Sequence, residues 1–319
     1  SAAPIGEHTI KFATQNPKGH PLVIGMEKFA EIVTAKSGGK IKVNMFPGGV
    51  LGGDAPNVSA LQGGTLEMVS MNSGILASQV KEFAVYDFPF QFANGKEADA
   101  VVDGPFGKMM HAKLQDKGMV GLTYWELGFR NMTNSKRPIN TVADLAGLKI
   151  RVIPNPINLD WVKALDANPT PMAFPEVYAA LESKALDGQE NPLSVVLANK
   201  FFEVQKHLTL TNHQYNPQSV IISKKFWDTL SPAEKKLIED SALEAAKFQR
   251  QIRHRHGIVS YLGVAQRDRY RAAAPGDIYP GQDTVILHCR DGRRRDVHRH
   301  LDNRIHGAHR QALWHRHRQ

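Results

Sequence analysis

The chain has 319 residues, 42% of them hydrophobic and 22% charged, which is enough for two domains with sizeable cores. It contains no run of about 18 apolar residues, which excludes a transmembrane helix. Its formal net charge of +9 would ordinarily suggest a nucleic acid or an anionic membrane as partner.

The start, Ser1-Ala2-Ala3-Pro4, reads as a mature N-terminus left by removal of an export signal, whose cleavage sites favour small residues. His8 to Gln15 alternates Ile10 and Phe12 with polar residues and predicts a short strand. Leu22, Met26, Phe29, Ala30 and Val33 recur at helical spacing over Pro21 to Lys36. Ile41 to Pro47 alternates again. A glycine-rich turn, Gly48 to Gly53, then leads into a helix over Asp54 to Gln62, and Leu66 to Met71 is the next strand. Val120 to Trp125 is a mostly apolar run, followed by a mixed polar and aromatic stretch, Glu126 to Ser135. Thr141 and Asp144 are spaced for a capping box that Gly147 ends, and Leu148 to Ile153 predicts a strand. Pro175 to Ser183 predicts a helix with proline in its first turn. Ser231-Pro232-Ala233-Glu234 is a strong helix start, and the helix runs to about Arg250. This alternation predicts an α/β fold with largely parallel strands.

The charge is not spread evenly along this order. Residues 251–319 hold 14 Arg against 6 Asp, whereas residues 1–250 hold 26 Lys plus Arg against 25 Asp plus Glu. The tail also carries nine of the 14 His and the single Cys, Cys289, and it lacks Lys, Glu, Met and Phe. It has no aromatic interleaving or amphipathic order, so nucleic acid is not the expected partner. An abrupt switch of this kind is what a shifted reading frame in a GC-rich gene produces; a genuine basic extension is the alternative.

Enzymatic signatures are missing from the body. The turn at 48–53 is followed by Asp54 rather than by the Lys and Ser or Thr of a phosphate loop, and no G-x-G-x-x-G spacing occurs there. His8, His20, His111, His207 and His213 show no metal-ligand spacing, and a zinc site on His288 and Cys289 would need a shaped surround. No metal and no cofactor is expected.

Three features invite a ligand. Arg151 lies inside the strand between Ile150 and Val152. A buried charge there needs a partner, so it is either a salt-bridged or edge-strand arginine or a planar fork for a ligand carboxylate. Arg130 sits in the aromatic stretch from Tyr124 to Ser135. Asp187 to Pro192 marks an extended segment entering a loop, where Asn191 offers both a donor and an acceptor.

At these residues the chain resembles the solute-binding proteins of TRAP transporters. The resemblance rests on Phe129 to Ile139 (FRNMTNSKRPI), Asp144 to Val152 (DLAGLKIRV), Pro169 to Tyr178 (PTPMAFPEVY) and Asp187 to Pro192 (DGQENP). Lys36 to Pro47 and Leu51-Gly52-Gly53-Asp54 fit as well, so it covers about residues 8–250. The resemblance implies an α/β, two-lobe periplasmic binding protein fold with a ligand cleft between the lobes and a hinge. Lobe I would be residues 1–124 plus 213–250 and lobe II residues 125–212, with 251–319 a basic tail in place of the family's closing helices. It implies a periplasmic receptor, not an enzyme, that hands a small organic acid to the TRAP transporter membrane subunits. Arg151 would hold the ligand carboxylate, assisted by Arg130 and Asn191. Phe174 would pack against the ligand, Asn72 and Asn155 would add polar contacts, and Trp125 and Tyr215 would stand in the pocket wall. No second basic cluster is evident in the body, which favours a monocarboxylate such as a sugar acid, hydroxy acid or keto acid. The rival reading is an enzyme acting on organic acids in the same cleft, with Glu190 as its acid or base.

Overall fold

The computed structural model describes residues 4–266, 271–273 and 286–288, with side chains through Arg253. The first part of the chain gives β1 (His8–Thr14), α1 (Pro21–Lys36), β2 (Ile41–Phe46), α2 (Asp54–Gly63) and β3 (Met68–Asn72). Two short 3-10 segments follow, Ser73–Ser78 and Lys81–Asp87, then α3 (Gly95–Val102), α4 (Pro105–Ala112) and the 16-residue β4 (Met119–Asn134). Next come β5 (Lys149–Val152), α5 (Pro156–Ala164), β6 (Asn168–Pro171), α6 (Val177–Glu182), β7 (Gly188–Asn191) and α7 (Leu193–Ala198). The 17-residue β8 (His207–Ser223) leads to α8 (Lys224–Trp227), α9 (Pro232–Gln266), β9 (Arg271–Ala273) and β10 (Ile286–His288).

The ten strands among the described residues join one sheet in the order β2-β1-β3-β8-β4-β7-β5-β6, with β10 on β8 and β9 on β10. β1 pairs in parallel with β2 and β3, and β5 with β6 and β7. The centre is antiparallel, because β8 runs against both β3 and β4, and β4 against β7. The sheet is therefore mixed rather than largely parallel. β4 and β8 are the two longest strands of this two-lobe α/β fold and pair with each other along most of their length. Their pairing slips between Gly121 and Thr123, Glu126 and Gly128, and Arg130 and Met132. Such bulges bend a strand and sharpen its twist, which suits a strand passing from one lobe to the other.

Helices cover the sheet on both faces. α1 starts where His20 Nδ1 accepts from Leu22 N with Pro21 in the first turn, and it buries Leu22, Met26, Phe29 and Val33. These pack with Phe12, Trp125 and Ala242 of α9 in the largest core. A second core on the opposite face gathers Leu61, Met71, Phe83, Tyr86 and Ile221. A third, around Ile150, Val152 and Val162, serves the lobe built on β5 to β7.

α9 does not stop near Arg250 but continues to Gln266. Its start is the expected box: Ser231 N donates to Glu234 Oε2 at 2.8 Å, and Glu234 N to Ser231 Oγ at 3.2 Å. Farther along, the Gln249 amide brackets the Glu126 backbone, accepting from its N at 2.9 Å and donating to its O at 2.8 Å. Arg253 pairs with Glu126, so the helix is still anchored on β4 past Arg250. Most of the basic tail, with Cys289 and the run Arg293-Arg294-Arg295, lies outside the described residues. No described helix is long and apolar enough to cross a membrane.

Candidate functional site

The carboxyl ends of β1, β3, β5 and β7 converge on one cleft, where Thr14, Asn72, Arg151 and Asn191 all face the same space. Ligands of open α/β sheets bind outside the carboxyl ends of strands for this reason. The first wall is completed by Asp54 at the start of α2, and the opposite wall by Phe174 in the link from β6 to α6.

Arg151 is 3% exposed, and its Nε and one terminal nitrogen both donate to Met172 O, at 3.0 and 2.8 Å. No carboxylate lies in ion-pair range of it among the described residues. Its guanidinium stands over the Phe174 ring, 5.6 Å from the centroid. Burial pulls its pKa down to about 10, with repulsion from Arg130 adding and attraction to Glu190 and Asp54 opposing. It stays protonated at neutral pH: a desolvated cation, oriented by one carbonyl and lacking a counter-ion. An unpaired buried charge is costly, and a ligand carboxylate would supply what is missing.

Arg130 faces the same cleft but is already engaged. Its Nε donates to Glu190 Oε2, its second terminal nitrogen to Glu190 Oε1 at 2.8 Å and Glu190 O at 2.5 Å, and its first to Asn216 Oδ1 at 2.5 Å. Of five guanidinium N–H groups, one remains for anything else. Burial pushes the Glu190 carboxyl up, but the Arg130 guanidinium and the His213 contact outweigh it and hold it at about 2. A carboxylate that is 0% exposed, ionised and bonded through both oxygens is no proton shuttle, so the expectation of Glu190 as a catalytic acid or base is withdrawn.

The other expected residues divide. Asn191 lines the cleft and is steadied by its donation to Gln189 Oε1 at 2.8 Å. Asn72 lines it too, donating to Asn216 Oδ1 at 2.7 Å while its own oxygen accepts from Gly74 N. Phe174 is half-buried at the wall. Trp125 is not there: it is fully buried in the core against Phe12, its indole N–H reaching Ala242 O at 3.4 Å. Tyr215 is not there either, since its hydroxyl bonds Asp99 at 3.2 Å and its ring meets Phe92 and Phe129. Asn155 caps α5 and sends its amide to Gly74 O and Asp87 Oδ2, both at 3.1 Å. It ties the segments beside the cleft together instead of facing it. Asn158 adds a 2.8 Å bond to the same Asp87 oxygen. Burial pushes the Asp87 carboxyl up to about 6, against the pull of Asn158 and Arg130.

Several cleft residues carry no sequence signal of their own. Thr14 Oγ1, Gln15 Oε1, Asp54 Oδ1 and Ser70 Oγ are buried atoms without a hydrogen-bond partner, and all four residues line the cleft. Burial raises the Asp54 carboxyl to about 6 despite Arg151. Gln15 lies just past β1 and Asp54 starts α2, while Thr14 ends β1 and Ser70 lies within β3, positions that only the element boundaries reveal. The described residues contain no group of three or more potential metal ligands.

A mixed α/β sheet threaded twice between two lobes, with an oriented cation and unsatisfied polar atoms facing a cleft, defines a solute-binding protein. The chain belongs to the bacterial extracellular solute-binding protein family 7, DctP, which it matches over residues 12–257. It is 38% identical over 252 residues to the 2,3-diketo-L-gulonate-binding periplasmic protein YiaO of Escherichia coli, covering 79% of this chain and 77% of that one. Among solved structures it is similar to the sugar acid binding protein DctPAm of Advenella mimigardefordensis in complex with galactonate. The two are 42% identical with a TM-score of 0.81, over 82% of this chain and 84% of that one. It is also similar to a TRAP periplasmic solute-binding protein of Ochrobactrum anthropi whose C-terminus is bound in its ligand-binding pocket. Here identity is 52% and the TM-score 0.73, over 82% of both chains. The chain is thus a solute-binding receptor and not an enzyme. The match also carries seven residues past Arg250, in line with the continuation of α9.

Proposed function

We propose that this protein is the periplasmic receptor of a TRAP-type transporter and that its ligand is a hydroxylated monocarboxylate of the sugar-acid kind, delivered to the transporter's membrane subunits. The observation that carries the reading is Arg151, a buried guanidinium held by Met172 O and lacking a carboxylate of its own. Arg151 takes the ligand carboxylate, Asn191 and the remaining N–H of Arg130 flank it, and Phe174 and Asn72 bound the slot. The unsatisfied atoms of Thr14, Gln15 and Ser70 suit ligand hydroxyls, each of which both donates and accepts.

The preference for one carboxylate rests on charge. Asp54 is the ionisable group on the wall facing Arg151, and no free cation accompanies it among the cleft residues. A second ligand carboxylate would meet an acid rather than a base. The lobes are assigned as residues 1–124 with 213–250 and residues 125–212, with closure about β4 and β8. Titration calorimetry with galactonate, erythronate and succinate tests the reading. Galactonate or erythronate is expected to bind at least about tenfold tighter than succinate, roughly 1.4 kcal/mol; a preference for succinate would overturn the monocarboxylate assignment.

A further inference from the structure

A second cavity, of about 170 Å³, opens on the lobe that carries β5 to β7, well apart in its lining from the cleft. Its floor is the buried group Met132, Ile139, Leu145, Thr211 and His213. Its rim includes Phe90 and Val142, which are 40% and 38% exposed and belong to a short set of large apolar side chains that face solvent. Trp161 of α5 forms one side, its ring 4.9 Å from that of His213.

Hydrogen bonding distinguishes this cavity from the cleft. The cleft leaves polar atoms of Thr14, Gln15, Asp54 and Ser70 without partners. Here the polar side chains are already satisfied. Thr211 Oγ1 and His213 Nδ1 bond each other at 2.7 Å, His213 Nε2 bonds Glu190 Oε2 at 2.9 Å, and Thr141 Oγ1 bonds Asp144 Oδ2 at 3.2 Å. A water inside would find few hydrogen-bonding groups on the protein, and an apolar cavity of about 150 Å³ is large enough to accept benzene.

The rim is also strained. Phe90 sits at φ +58°, a left-handed conformation that bulky residues seldom adopt, and its N–H is fixed on His213 O at 2.8 Å. Backbone strain of this kind collects at ligand clamps and switch regions. The strained residue and the cavity floor are joined through His213, whose backbone carbonyl accepts from Phe90 N and whose side chain touches Glu190.

We propose that this cavity is a second binding site, for an uncharged compound the size of a single aromatic or alicyclic ring, distinct from the organic-acid cleft. Its occupant needs no hydrogen bonds and carries no charge, so it cannot compete for Arg151. Fluorobenzene, followed by fluorine NMR, is the probe. Saturable binding with a dissociation constant on the order of 1 mM or tighter is expected. Saturating galactonate is expected to leave that binding intact, as is Arg151→Ala. Ala164→Phe and Val142→Phe, both at exposed rim positions, are expected to weaken it at least about fivefold, with circular dichroism verifying the fold. Displacement of fluorobenzene by galactonate, unchanged affinity in both folded rim variants, or no saturable binding would each overturn the proposal.

Discussion

Arg130 and Arg151 line the same cleft, and only Arg130 has a carboxylate of its own. The two guanidiniums are similarly buried, at 1% and 3% exposure, yet Glu190 takes both oxygens to Arg130 while Arg151 rests on the single carbonyl of Met172. One arginine is structural ballast for the cleft wall, and the other is left to the ligand. Arg151→Ala is expected to weaken galactonate binding at least about tenfold. Arg151→Lys is expected to restore little of it, because an ammonium keeps the charge and loses the planar fork. Calorimetry returning parental affinity for either variant would remove Arg151 from the site.

Glu190→Gln should reveal the opposite character of Arg130. The substitution leaves a buried guanidinium without its counter-charge, and breaking a buried pair from one side costs about 3–5 kcal/mol. A large fall in thermal midpoint is expected, with organic-acid affinity reduced as a consequence. Equal stability of variant and parent in denaturant unfolding would show that the pair does not hold the cleft wall together.

Asp87 supplies a pH dependence of defined sign. Its folded pKa, about 6, lies above the reference value of 3.8, so the folded state holds this proton more tightly. That contribution is fully present below about pH 4 and is lost as the pH rises through 6. Asp87→Asn is neutral throughout and should therefore gain stability relative to the parent chain between pH 4 and 7. Urea unfolding at both ends of that interval reads the difference directly, and a gap that does not change with pH would count against titration of Asp87 in this window.

Gly49 is expected to matter for closure. It adopts φ +69°, and a Cβ there would lie 2.9 Å from Gln15 Oε1 and 3.2 Å from Pro175 Cγ on the opposite wall. Gly49→Ala adds left-handed strain of roughly 1–2 kcal/mol and wedges the turn against Pro175. Galactonate affinity should fall several-fold while the far-UV circular dichroism stays unchanged.

Part of the fold and of the cleft is legible in the amino-acid sequence. Arg151 between Ile150 and Val152 announces a charge inside a strand, and the Ser231–Glu234 box forms as its spacing implies. The two residues that lie away from the expected pocket wall have a common physical cause. Trp125 and Tyr215 lie on β4 and β8, whose bulges break the two-residue alternation by which a sequence assigns faces. β8 itself hides because its buried side chains include Thr209, His213, Gln214, Asn216 and Gln218, polar residues that interrupt any apolar pattern. α9 outruns the end that its apolar stripe suggests, because backbone hydrogen bonding and the Arg253–Glu126 pair carry it on after the stripe fades.

The pairing of β3 with β8 also places a demand on folding. Met68 to Asn72 find their antiparallel partners only at Gln218 to Ile222. β4 to β7 all lie between these partners in the chain, so β5 to β7 can pair with one another while β3 still lacks β8. Until β8 is in place, β3 presents an open edge to whatever chain is nearby.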